Sequence, residues 1–138
     1  MVKLLAAKRL DARVIDEPLL VKELPSSSAT GPNVARRDHT ALKTKYMVDK
    51  LLVIDISAMG AWRNYASYIP TGDPQAVFKG TGYIVNLANN TLDWYLPVDS
   101  RRSADQKWDE PPKFPGLTNA YFQALEEGKD AFTQPFRP

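Results

Sequence analysis

The sequence predicts an α+β fold, in which an antiparallel β-sheet of three to five strands carries two or three helices packed on one face. Three strand-like runs, at 50–65, 76–87 and 92–98, are separated by turn residues. Helical patterns lie before and after them, and strands grouped apart from helices are typical of α+β proteins. A chain of 138 residues is long enough to bury its own core, so residues 1–138 are expected to form a single globular domain.

The region before the strands is predicted to hold two short helices. Residues 3–13 are rich in helix formers, and Pro18 ends any continuation of that helix. Residues 19–21 favour a brief strand or an extended segment. The stretch PSSSATGPN at 25–33 is predicted to be a mobile loop, because its residues solvate or break regular structure. Asp38 is the predicted N-cap of a second helix, which leads into the first strand.

The first strand-like run is apolar at both parities over residues 50–56. This pattern predicts a strand that is covered on both faces and therefore central in the sheet. The second half of the run, up to Tyr65, alternates more weakly, and we expect it to emerge as a half-exposed arm. Pro70, Gly72 and Pro74 then mark a surface turn before the next strand.

The second and third runs are predicted to form a hairpin. Asn89 and Asn90 tolerate the positive φ of a two-residue type I′ turn, so that position 88 would pair with position 91. One face of the hairpin would then be apolar and the other mostly polar or small, as in a sheet with one face in water. The pairs expected on the apolar face are Leu87 with Leu92, Val85 with Trp94, Tyr83 with Leu96, and Thr81 with Val98.

Residues 99–116 are predicted to be a Pro-rich surface segment without regular structure, fixed to the body of the protein by Trp108 and Phe114. Thr118 is the predicted N-cap of a last helix. Its apolar residues recur at helical spacing and continue towards the terminus if the helix passes Gly128. We expect this helix to cover the apolar face of the sheet.

The composition argues against several kinds of chemistry. The absence of cysteine removes disulfides, thiolate nucleophiles and Cys-based zinc sites. The single histidine, His39, is predicted to be a surface residue at a helix start, and one histidine does not make a transition-metal site. No apolar run reaches the roughly 20 residues that span a bilayer, and no signal peptide is visible. A net charge of +2 without a dense basic cluster argues against nucleic-acid binding.

The acidic residues of the strands suggest no catalytic pair. Asp93, Tyr95 and Asp99 are expected on the outer face of the third strand, with the two carboxylates roughly 20 Å apart. This is too far for an acid and a base that act on one bond. Asp55 lies between two isoleucines, and if it is buried it needs a partner such as Arg63.

Gly80 and Gly82 fall on one face of the second strand and leave a stripe without side chains. Three explanations stay open: an aromatic residue such as Tyr95 or Trp62 lies across them, another backbone approaches closely, or the stripe is a groove for a peptide or ligand. We expect no cofactor and no metal. The residues of the predicted protein-contact surface are Gly80, Gly82, Asp93, Tyr95 and Trp108.

One resemblance rests on the strands and the hairpin. The pattern concerned is a helix that leads into a strand of the D-x-L-V-V-I kind, followed later by a hairpin that reads roughly G-x-(L/Y)-I-D-L-x-(T/N)-x-x-(L)-x-W. The matching residues are Asp49, Leu51 to Ile54, Gly82, Tyr83, Ile84, Leu87, Asn90, Leu92 and Trp94. This segment resembles the central part of small bacterial cell-envelope lipoproteins, loosely the curli-secretion, CsgG-like group. Asn86 replaces the usual acidic residue of that group, and the lipidation cysteine is absent.

The resemblance implies a non-catalytic protein that acts through protein contacts or assembly on the periplasmic side of the outer membrane. We therefore expect protein partners, with self-association through an edge strand as one route. Membrane attachment would require a lipid anchor that this sequence lacks. Two alternatives stay open. One is a cytosolic inhibitor or immunity-type interaction module, and the other is a small hydrolase or transferase that uses Asp55, Arg63 and the outer tyrosines.

Overall fold

The α+β class is confirmed by a computed structural model that describes residues 1–8, 10–105 and 108–137. The helices and strands of the described residues are α1 (Val2–Ala7), α2 (Leu42–Tyr46), β1 (Lys50–Trp62), β2 (Tyr65–Ala66), β3 (Ile69–Pro70), β4 (Gln75–Asn86), β5 (Thr91–Ser103) and α3 (Pro115–Thr133). The strands form a three-stranded antiparallel sheet in the order β1-β4-β5 and a two-stranded sheet of β2 and β3. Short 3-10 turns occur at Val21–Glu23 and Gln134–Phe136.

The described chain divides into two compact units. Unit 1 contains residues 1–55 and 81–96, and unit 2 contains residues 56–80 and 97–137. The three long strands supply residues to both units. The expectation of one globular domain stays a prediction.

Unit 1 has its core on one face of β1 and β4. The buried members include Leu51, Val53, Tyr83 and Val85, which alternate along their strands as a half-buried sheet requires. Segments that precede the sheet pack against them, through Ile15, Leu19, Val21, Leu24, Ala35, Leu42, Tyr46 and Val48. We expected the last helix to cover this face, but among the described residues this cluster draws its cover from the amino-terminal segments.

β1 lies at an edge of the sheet and β4 lies in the centre, so the prediction that the first strand is central is wrong. Leu51 and Val53 are buried, whereas all residues from Ile54 to Met59 are exposed. The apolar residues at both parities therefore do not indicate cover on both faces. Several of these apolar side chains, among them Ile54 and Ile56, are exposed to water instead.

The β4–β5 connection is the four-residue loop 87–90, so the predicted two-residue turn is wrong. Within the loop only Asn90 is left-handed, with φ 59°, and its N–H donates to the carbonyl of Asn86 at 2.8 Å. Four-residue loops of this kind are common in hairpins. Leu87 lies outside β4, and its N–H donates to the carbonyl of Asp49 at 2.9 Å, so the predicted pairing of Leu87 with Leu92 does not form.

The amino-terminal elements are shorter than predicted. α1 ends at Ala7, and a 3-10 turn replaces the extended segment expected at 19–21. α2 has Ala41 and not Asp38 as its N-cap, because Asp38 forms a turn with Thr40 before the helix begins. The Asp38 carboxylate accepts bonds from the N–H and hydroxyl of Thr40, which lowers the pKa of Asp38. Within the predicted mobile loop, 25–33, Ser26 forms an isolated antiparallel β-bridge with Arg37, and just after the loop Val34 forms another with Thr91.

Unit 2 is organised around α3. The helix begins at Pro115, three residues before the predicted cap Thr118, because proline suits the first helical position. The prediction that it passes Gly128 is confirmed. Gly128 lies against the ring of Phe78 from β4, and Phe132 meets the same ring edge-on with centroids 6.2 Å apart. The buried stripe of the helix is Gly116, Ala120, Ala124, Gly128 and Phe132.

The segment 99–116 is regular at both ends, contrary to the prediction. β5 continues to Ser103, and α3 includes Pro115 and Gly116. Polar side chains sustain the strand, because the Ser100 hydroxyl donates to Glu127 of α3 at 2.6 Å. Asp99 forms ion pairs with Lys79 at 2.9 Å and with Arg101 at 3.1 Å. A long polar strand end can therefore pair with a neighbour although it lacks an apolar pattern.

Candidate functional site

A buried polar cluster in unit 1 holds the β4–β5 loop against the preceding segment. Asn90 is 3% exposed, and its Nδ2 donates to the carbonyl oxygens of Ala35 at 3.1 Å and Arg37 at 2.9 Å. Nδ2 also lies 3.3 Å from the hydroxyl of Ser27, and Oδ1 accepts a bond from the backbone N–H of His39 at 3.0 Å. The polar atoms of this buried amide are thus satisfied, mainly by backbone groups of the preceding segment.

His39 is part of this cluster and is 2% exposed, so the prediction of a surface histidine is wrong. Its Nδ1 lies 2.8 Å from the carbonyl oxygen of Arg37. A carbonyl only accepts, so Nδ1 carries the proton, and Nε2 accepts a bond from the Tyr83 hydroxyl at 3.3 Å. Burial, assisted by the negative charge of Asp55, raises the pKa of Tyr83 to about 12, so the phenol keeps its proton at neutral pH.

A cleft of about 880 Å³ in unit 1 reaches this cluster. Charged residues of both signs line it, including Arg36, Arg37, Asp55 and Asp93. Arg37 donates to the carbonyl of Leu24 at 3.1 Å, and Asp93 forms an ion pair with Lys50 at 2.7 Å. Trp94 and Tyr95 supply aromatic surface.

The contacts inside the cleft favour structural roles for its most distinctive residues. Both ring nitrogens of His39 are engaged within the protein, whereas a general base needs a nitrogen within reach of the proton that it abstracts. Asp55 is exposed and needs no buried partner. Arg63, the partner suggested from the sequence, stacks on Trp108 at 4.9 Å and donates to the carbonyl of Gly72 at 2.8 Å. The described residues contain no group of three or more potential metal ligands.

A second surface, in unit 2, consists of apolar side chains in water. We call residues 56–70 the apolar arm; it comprises the second half of β1 and the small β2–β3 hairpin. Trp62 is 60% exposed and Tyr68 is 96% exposed. Six large apolar side chains exposed within one short segment are more than the single exposed residues that are normal on a protein surface, and such concentrations suggest an interaction site. The large exposed side chains of the arm are Ile56, Met59, Trp62, Tyr65, Tyr68 and Ile69.

The predicted contact residues fall in different places. Asp93 and Tyr95 are exposed on β5 and share the cleft of unit 1. Gly80 and Gly82 are buried in β4, so they do not form the open groove suggested for them. Trp108 belongs to unit 2, is half-buried, and supports Arg63 at the base of the apolar arm.

Comparison with protein-family models, curated proteins and solved structures finds no match for this chain. The resemblance to envelope lipoproteins therefore stays a prediction. Among the described residues, none of the helices has the length and apolar character to cross a membrane. The apolar arm was visible in the sequence only as a half-exposed strand, whereas the polar cluster had no local signal, because the partners of Asn90 lie 51 to 63 residues away.

Proposed function

We propose that this protein is a non-catalytic binding module that contacts a protein partner through the apolar arm. The observation that carries the proposal is the exposure of six large apolar side chains within residues 56–69. Each aromatic or aliphatic side chain contributes about 1.5–3 kcal/mol when it moves fully out of water. Tryptophan and tyrosine also dominate the energetic centres of protein interfaces.

The arm is held in shape before it meets a partner. The N–H of Thr71 donates to the carbonyl of Asn64 at 3.0 Å, which closes the β2–β3 hairpin. The indole N–H of Trp62 donates to the Asn64 side chain at 2.9 Å. Arg63 joins the strand to Trp108 and Gly72, as described above. A surface that is ordered in advance loses less conformational entropy on binding, which favours affinity.

The cell envelope is the proposed location, on the periplasmic side of the outer membrane. This part of the proposal is supported by the strand and hairpin pattern shared with envelope lipoproteins. Fractionation of the source cells tests it directly: we expect the protein with the envelope, and recovery only in the cytosolic fraction would favour the inhibitor or immunity-type alternative.

Site-specific photo-cross-linking in the source cells tests the binding function. A photoreactive phenylalanine analogue replaces Tyr65 on the arm, and the same analogue replaces Tyr95 as the matched control. The two tyrosines are equally exposed, at 58%, but Tyr95 lies in the cleft of unit 1. We expect a discrete cross-linked protein from position 65 and not from position 95. Cross-links only at position 95, or at neither position, would contradict the proposal.

A further inference from the structure

We propose that the partner of the apolar arm is a second copy of this chain, which pairs antiparallel with it along the β1 edge around Met59. This inference rests on the proposed function and specifies its partner. Such a pairing merges two three-stranded sheets into one six-stranded sheet, with the same patch used on both copies, as in most two-fold dimers.

The backbone of β1 is suited to accept another strand. β1 is an edge strand, and its partner on the other side is β4. Asp49 accepts a hydrogen bond from Leu87, and hydrogen-bonded residues alternate along an antiparallel pair. The N–H and C=O groups of the even-numbered residues of β1 therefore point away from β4. These are the groups through which an added strand binds.

The β1 edge carries few of the features that usually prevent such pairing. Natural edge strands carry lysine, proline or inward charges that discourage edge-to-edge association. Between Leu51 and Trp62 the sequence has no proline and no lysine, and its one charged residue is Asp55. All residues from Ile54 to Met59 are exposed, so this stretch of the strand is accessible to solvent.

Two charged residues, Asp55 within β1 and Arg63 directly after its last residue, specify the register and the occupant. When Met59 faces its own counterpart, Asp55 of each copy faces Arg63 of the other, and Ile56 faces Trp62. The even-numbered residues then form the hydrogen-bonded pairs, as the outward-pointing groups require. Arg63 uses Nε for Gly72, which leaves its Nη groups for the facing carboxylate. The smallest shift that still pairs even-numbered residues with even-numbered residues is two residues. It places Asp55 opposite Ala61 or Tyr65 instead of Arg63, so the ion pairs favour one register.

Disulfide cross-linking through a single introduced cysteine tests this register directly, because the natural chain contains no cysteine. In the proposed pairing Met59→Cys faces its own counterpart as a non-hydrogen-bonded pair, with Cβ atoms about 4.5–5.5 Å apart, close enough for a disulfide after small adjustment. Ser57→Cys is the matched control, because its counterpart lies several pairs away. After oxidation with copper phenanthroline we expect covalent dimer from Met59→Cys and little from Ser57→Cys. Equal cross-linking of the two variants, or none, overturns the register.

Charge reversal tests the complementarity by an independent measurement. Sedimentation velocity of the intact chain over a concentration series gives the dimer dissociation constant. Asp55→Arg places like charges opposite each other at two symmetric positions, and we expect the dimer dissociation constant to rise about tenfold. Combining it with Arg63→Asp restores the pairs and should recover most of the affinity. Asp73→Arg, the same change on an exposed turn, should leave the constant unchanged.

Ala58→Pro keeps the inference testable if Arg63→Asp loses its contact with Trp108 and unfolds. Position 58 is even, so proline removes an outward N–H and leaves the bonds to β4 in place. We expect a folded monomer by circular dichroism and light scattering. A wild-type chain that is monomeric at all concentrations overturns the inference. A cross-link from position 65 to a different protein would then leave the binding function standing with another partner.

Discussion

Asn90 connects the β4–β5 loop to the preceding segment through its side-chain amide, and Asn90→Ala removes that connection. Three of its bonds, at 2.9–3.1 Å, join backbone groups of Ala35, Arg37 and His39, and those to Ala35 and His39 are buried. At about 1 kcal/mol each they account for about 3 kcal/mol. Alanine also adopts the left-handed φ of 59° less readily than asparagine, which adds up to about 1 kcal/mol. We therefore expect the free energy of unfolding to fall by about 4 kcal/mol.

Urea denaturation at pH 7, followed by circular dichroism, measures this change. Asn89→Ala is the matched control, because Asn89 is exposed and its side chain bonds only to Thr91 in the described structure. We expect it to cost about 1 kcal/mol or less. Asn90→Gly separates the two contributions, because glycine takes the left-handed conformation freely and lacks only the amide bonds. A loss below about 1 kcal/mol for Asn90→Ala would refute the hydrogen bonds as assigned.

Asn90→Asp adds a test through pH. Its carboxylate would face the carbonyl oxygens of Ala35 and Arg37, so burial and repulsion would raise its pKa above the unfolded value of about 3.9. A group whose pKa is raised on folding supports stability below its unfolded pKa and loses that support as pH rises. Asn90→Asp should therefore lose stability, relative to Asn90→Ala, between about pH 4 and pH 7. Parallel pH profiles for the two variants would contradict the contacts.

The remaining predictions concern pH and packing. Because the pKa of Tyr83 is raised to about 12, its contribution to the free energy of unfolding should be intact below pH 10 and decline by about 2 kcal/mol towards pH 12. Denaturation in alkali measures this decline, and Tyr83→Phe should abolish it. Hydrogen bonds from Arg101 hold the pKa of Asp99 at about 2, so its contribution should fade as pH falls from about 4 to 2, and Asp99→Asn should flatten that part of the acid denaturation profile. Gly128→Ala should destabilise by about 1–3 kcal/mol, because the new Cβ overlaps the Phe78 ring, and Phe78→Leu should relieve part of that loss in a double-mutant cycle. Additive effects would contradict the contact.

The sequence predicted what local patterns determine. The three strand runs, the hairpin between the second and third, and a terminal helix that passes Gly128 all occur in the structure. Asn90 was correctly expected to take a positive φ, because asparagine tolerates that conformation. The α+β class follows from these elements alone.

The features that the sequence did not predict depend on contacts between distant residues. His39 is buried because Asn90 and Tyr83, more than 40 residues later, bind its backbone and ring. β1 lies at an edge, although its apolar residues at both parities resemble those of a central strand. A strand that hides apolar side chains within its own chain and one that offers them to a partner have the same pattern. Similarly, the polar strand end at 99–103 is sustained by ion pairs that hydropathy does not register.

The distance along the chain between Asn90 and its partners also affects how the protein folds during synthesis. The carbonyls and N–H groups that Asn90 binds are made 51 to 55 residues before it. At roughly 5–20 residues per second the ribosome needs about 3 to 10 s to reach this asparagine. Until then residues 1–50 lack the β4–β5 loop against which they pack, and their leucines remain accessible to chaperones and proteases. The hairpin itself closes within microseconds once it is made, so completion of unit 1 awaits translation and not local folding.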